Sequence, residues 1–264
     1  AMSAGKRPGD HVPEFQYMND IFHHISCPNP YRPPEGMEEG DLTGLLVKEF
    51  EDTIERLGSN NIGGFLAEPI QASGGVIIPP DSYLRRIREV CKSHNILFVA
   101  DEVVTAFGRL GHWFASEDEF GMIPDIICSA KGLSSGYLPI GAMIYSNEVH
   151  EVISQSESGY FTSGFTYAGH PVSCAAALKN IEIMEREDIL KNAHDVGLYF
   201  ENKLATLNNL PLVGNVRGKK MMMCVENVAN KETKELLPDE LNVGKLISNK
   251  AEELGLLVRP LGHL

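Results

Sequence analysis

The short apolar run ILFVA (96–100), ended abruptly by Asp101, constrains the fold more than any other stretch of this chain. A continuous apolar run of this length is typical of a strand covered by helices on both faces. Three similar runs are GGFLAEPI (63–70), DIICSA (125–130) and GAMIYS (141–146). Between the first two strands, SYLRRIREVCKSH (82–94) has helical spacing, with Leu84, Ile87 and Cys91 on one face and Asp81 or Ser82 placed to cap it. A helix over 42–57 precedes them, with Gly58 as its stop. Strand, helix and strand at these spacings predict an α/β fold with a mostly parallel sheet and helices on both faces. In such sheets ligands sit beyond the carboxyl ends of the strands. Asp101 and Lys131 both stand at such ends, on different strands.

Beyond residue 173 the pattern changes to long helices over about 173–188 and 190–207, a strand at 221–226, a helix at 239–255 and a strand at 256–260. This predicts a division into a larger part, residues 1–189, and a smaller α/β part, residues 190–264. The chain has 264 residues, 43% of them hydrophobic, which suffices for a buried core. A formal net charge of -13 argues against nucleic acid and against a polybasic membrane contact. No apolar run approaches the roughly 20 residues of a membrane span. The five cysteines are scattered and odd in number, and AMSAGKRPGDHVPEF lacks the apolar centre of a signal peptide. A cytoplasmic protein is the expectation.

Lys131 lies between Ala130 and Gly132 at the end of a buried strand. Burial disfavours an ammonium ion, so such a lysine is suited to attack an aldehyde as a neutral amine. Asp101 is a fitting partner for a basic ring nitrogen. Residue types and spacing by themselves still favour a buried structural ion pair between the two. His11, His23, His24 and Cys27 match no standard metal-site spacing, Arg109 and His112 suit a structural role in their loop, and Gly132, Gly136 and Gly141 form no dinucleotide fingerprint.

Four ordered segments carry a more specific signal: AEPIQASGGVIIPP, FVADEVVTAFGRLGHWFAS, PDIICSAKGLSSGYLPIGAM and GFTYAGHPVSCAAAL. Together they resemble the class III aminotransferases, enzymes of fold type I that use pyridoxal 5'-phosphate (PLP), and the resemblance runs from about residue 10 to the end. It implies that Lys131 is the Schiff-base lysine and a proton shuttle, and that Asp101 pairs with the pyridine nitrogen. Val103 would pack on one face of the ring, and Glu68 would stand on its substrate side. Phe165 and Thr166 would belong to the segment reaching the cofactor phosphate of a partner subunit, making the state a homodimer with shared sites. The implied reaction moves an amino group from an amine or ω-amino acid donor to a 2-oxo acid such as pyruvate. A mutase, lyase or decarboxylase, or an inactive piece acting only in dimerisation, are the alternatives.

The sequence departs from the family pattern in several places. The glycine-rich phosphate turn and the aromatic covering the other ring face do not occur; the resemblance puts both before residue 1, and a carboxylate-binding arginine beyond Leu264. A partial chain is the expectation. Val104 stands where many relatives carry glutamine and Ala106 where glycine is common, and the Val103–Val104 pair is closer to the ω-amine and β-alanine type than to the ornithine type.

Overall fold

The computed structural model describes residues 3–5, 11–37 and 41–261. The first elements are helix α1 (Leu42–Leu57), strand β1 (Gly64–Ala67), helix α2 (Tyr83–Ser93) and strand β2 (Leu97–Asp101). A one-turn helix α3 (Ala115–Asp118), strand β3 (Ile126–Ser129) and strand β4 (Ala142–Tyr145) follow. The four strands form one sheet in the order β1-β2-β3-β4. The first three are parallel and β4 is antiparallel to β3. The sheet is therefore mixed but mostly parallel.

Strand alternation divides the sheet into two faces. On one face Phe65 pairs with Phe98 and Ala67 with Ala100. The ring of Phe50, on α1, lies 4.8 Å from Phe65, which in turn lies 5.5 Å from Phe98. Leu46 and Ile54 from α1 and Leu84, Ile87 and Cys91 from α2 complete this core. Each such side chain contributes about 1.5–3 kcal/mol on burial. Gly58 ends α1 with φ 81°, its N–H bonded to Ile54 O, as its position predicts. Ser82 occupies the N-cap of α2, yet neither it nor Asp81 makes the expected side-chain cap. The link between α2 and the sheet is instead Asp125, which accepts from Arg88 at 2.6 Å and from Phe98 N–H at 2.7 Å.

After β4 come α4 (Asn147–Ser154), α5 (Pro171–Arg186) and α6 (Ile189–Ala205), then a hairpin of β5 (Val213–Lys219) and β6 (Met222–Asn227), and α7 (Val243–Glu253). Neither β5 nor α4 was expected from the sequence. In β5 the glycines at 214 and 218 look like turn punctuation, but Gly218 takes φ 140° at a place where a Cβ would meet Met222 O at 2.2 Å. The helix expected over 239–255 is split, because Asn242 adopts a left-handed conformation at φ 47° between a 3-10 turn and α7. Residues 256–260 form no strand: the run has no neighbouring strand to pair with among the described residues.

The hairpin is anchored to the first part of the chain by charge. Buried Glu226 accepts from Arg32 Nε at 2.6 Å and from Arg217 Nη1 at 2.5 Å. Burial pushes its carboxyl up, but the two guanidinium groups outweigh this and hold it below the usual carboxylate range. Arg217 Nε also donates to Gly75 O at 2.8 Å, clasping the loop after β1. On the other side Glu119 takes both Lys219 and Lys220.

Candidate functional site

Three titratable side chains gather past the carboxyl ends of the three parallel strands. Glu68 follows β1, Asp101 closes β2, and Lys131 opens a 3-10 turn (Lys131–Leu133) just past β3. Asp101 and Cys128 are register partners, so the lysine leaves the sheet three residues after the position beside Asp101. Burial raises the Cys128 thiol, and the charge of Asp101 raises it further.

Asp101 Oδ1 accepts from Val103 N–H at 3.0 Å, a local turn that fixes the carboxylate where the chain leaves the sheet. This bond also holds half-buried Val103 beside it. Glu68 Oε2 accepts from Ala72 N–H at 2.9 Å. Burial pushes its carboxyl above the ordinary range and the negative charge of Asp101 adds to this; the Ala72 N–H and the Lys131 charge oppose it. Glu68 thus feels the charges of both Asp101 and Lys131.

Lys131 differs from expectation in one respect. It is exposed, and it stands just past the end of β3 at the start of a 3-10 turn. The ion pair that residue types favoured does not form: Asp101 is engaged by Val103 N–H, and no ion pair joins it to Lys131 among the described residues. The lysine backbone has φ 33°, an uncommon conformation for a residue other than glycine. Next to it Gly132 is required, since a Cβ there would stand 2.9 Å from Phe107 Cβ. On the opposite side the turn is held by Asn180 of α5.

The loop after β2 is organised by a residue that the sequence does not flag. Glu102 is fully buried and accepts from Ala115 N–H at 2.7 Å, Ser116 N–H at 2.8 Å, Ser116 Oγ at 2.5 Å and Thr105 Oγ1 at 2.9 Å. Only the fold brings residues 115 and 116 back to it. Val104 packs against the main core, so an apolar residue suits that place. Arg109 donates to Met221 O at 3.3 Å and His112 lies 3.0 Å from Glu119, structural contacts as the sequence suggested.

Phe165 and Thr166 are not drawn into this cluster. Both lie on an exposed segment outside regular structure, Phe165 being 87% exposed, and no hydrogen bond ties either to Glu68, Asp101 or Lys131. Tyr137, Tyr160, Phe161 and Tyr167 are also exposed. Among the described residues no group of three His, Cys, Asp or Glu side chains could hold a metal ion, and no helix is long and apolar enough to cross a membrane.

The donor set suits a cofactor with an electrophilic carbonyl and a basic ring nitrogen: an amine with no ion-pair partner among the described residues, and a carboxylate at the end of the adjacent strand. The sequence pattern of the family described as Aminotransferase class-III matches residues 1–264. The chain is 40% identical over 240 residues to putrescine–pyruvate aminotransferase of Pseudomonas aeruginosa, covering 90% of this chain and 52% of that protein. It is 40% identical over 242 residues to mitochondrial gamma aminobutyrate transaminase 1 of Solanum lycopersicum, covering 90% and 47%. The solved structure of an amine transaminase from an uncultivated Pseudomonas species, in its PLP-bound form, superposes with a TM-score of 0.92 at 38% identity, covering 99% of this chain and 60% of that one. The chain spans about half the length of the curated relatives it matches.

Proposed function

The chain belongs to the class III aminotransferases, and from that premise we propose that it is the lysine-bearing part of a PLP-dependent transaminase acting on an amine or ω-amino acid donor and a 2-oxo acid such as pyruvate. The observation that carries the proposal is the exposed Lys131, without an ion-pair partner among the described residues and just past β3, the strand that runs parallel to the one Asp101 closes. The side chains present fit the cofactor: an amine for its aldehyde, a carboxylate for its ring nitrogen, and an apolar Val103 for its ring face.

Bound PLP supplies an aldehyde that condenses with amines and a ring that withdraws electrons from the donor's amine-bearing carbon. Lys131 Nζ would hold that aldehyde, and the same amine would serve as the base that moves the proton of the donor's amine-bearing carbon. Asp101 would keep a proton on the ring nitrogen, its carboxylate steadied through Oδ1 by Val103 N–H. Glu68, held by Ala72 N–H, would border the donor side.

Phe165 and Thr166 are assigned to the partner subunit's cofactor phosphate in a homodimer, a reading supported by the exposed aromatic side chains around them. The division into residues 1–189 and 190–264 belongs to the same proposal and is supported by the separate two-stranded sheet of the second part. A cytoplasmic site of action is supported by five free cysteines. In the full-length protein Lys131→Ala should abolish amino transfer from putrescine or γ-aminobutyrate to pyruvate, with a loss of about 10³-fold or more. Retained full activity would contradict the proposal.

A further inference from the structure

The turn bearing Lys131 depends on a side chain from a distant element. Its backbone is unusual at both ends, with φ 33° at Lys131 and 50° at Ser135. Residues other than glycine keep such conformations only when surrounding contacts hold them. Asn180 supplies those contacts from α5. Its Nδ2 donates to Gly132 O at 2.9 Å and to Leu133 O at 3.1 Å, and its Oδ1 accepts from Ser135 Oγ at 2.7 Å. One amide therefore binds three successive parts of the turn as both donor and acceptor. The opposite side of the turn has no slack, because Gly132 sits against Phe107. The turn is gripped between the loop after β2, which follows Asp101, and helix α5.

We propose that Asn180 is a positioning residue that holds the 131–135 turn in the backbone geometry needed for Lys131 to capture its cofactor beside Asp101. The proposal rests on the reading of Lys131 as the PLP lysine. An amide is needed in this place. A carboxylate could accept from Ser135 but would repel the carbonyls of Gly132 and Leu133, and an alkyl group would leave all three contacts unmade. Helix packing alone would not require the amide, since Ala177 and Met184 already bury the same face of α5.

The test compares Asn180→Ala, Asn180→Asp and Ser135→Ala in the full-length protein. Two readouts are needed: amide hydrogen exchange of the 131–136 segment without cofactor, and the rate at which Lys131 captures added PLP, followed by visible absorbance. Asn180→Asp should speed exchange in that segment and slow capture about tenfold or more, Asn180→Ala should do the same, and Ser135→Ala should shift both readouts less. A lower melting temperature with exchange and capture rate unchanged would overturn the proposal and leave Asn180 as a packing residue. Should the Asn180 variants fail to fold, Ser135→Ala decides: an unchanged segment in that variant overturns it. If the unaltered protein captures no PLP on Lys131, the parent reading fails, and the exchange arm still decides whether Asn180 holds the turn.

Discussion

The two faces of the four-stranded sheet are made by the same strands and differ in almost everything else. One face, with Phe65, Phe98, Ala67 and Ala100, lies under α1 and α2, and Phe98 and Ala100 are fully buried. The other presents Leu66, Leu97, Met143 and Tyr145, which remain 37–49% exposed, and at its carboxyl end Asp101 and Cys128. The first face provides stability and the second provides the floor of the candidate site. A one-residue shift of register would exchange them and bury Asp101 in the core.

This contrast can be broken most directly by truncation. Phe98→Ala should cost about 3–5 kcal/mol, whereas Leu66→Ala on the opposite face should cost less than half of that; chemical denaturation of both variants checks the difference. Equal losses would mean that both faces are packed alike. Asp101→Asn acts in the opposite sense. In the full-length protein it should lower transamination by about 10²-fold or more while leaving the unfolding midpoint close to that of the parent, because Asp101 is part of no ion pair among the described residues and its contact with Val103 N–H survives in asparagine. Steady-state rates measured beside thermal melts separate the two effects.

The smallest expected effect concerns Glu68. Its native carboxyl titrates above the ordinary range, chiefly through burial. Between the ordinary and raised values the native state therefore binds more protons than the unfolded chain, so stability falls as pH rises through that window. Glu68→Gln removes this loss and keeps an oxygen acceptor for Ala72 N–H. The variant should melt higher than the parent near neutral pH, and the difference should close as the pH falls toward the acid range. A constant difference across pH would contradict the assignment.

Much of the buried face was legible in the sequence. Leu84, Ile87 and Cys91 follow helical spacing and are buried together, and the apolar run before Asp101 is β2. The positions of Asp101 and Lys131 followed from strand ends alone. Other features were not legible, for identifiable physical reasons. The direction of β4 depends on pairing across the sheet, which short apolar runs do not encode. The exposure of Lys131 was hidden because the apolar run ends before it, and a strand pattern says nothing about the turn beyond. Glu102 and Asn180 look like ordinary polar residues in sequence; their contacts at residues 115–116 and 132–135 exist only after folding. The hairpin strand β5 was hidden by its glycines, one of which is there because a neighbouring carbonyl leaves no room for a Cβ.

The central claim is that Lys131 is the residue that binds PLP. The most direct test is to load the full-length protein with PLP, reduce it with borohydride, digest it and locate the pyridoxyl adduct by peptide mass spectrometry. The account predicts an adduct on the peptide containing SAKG, at Lys131, with other lysines unmodified at stoichiometric PLP. An adduct on a different lysine, or a retained cofactor with Lys131 unmodified, would contradict it.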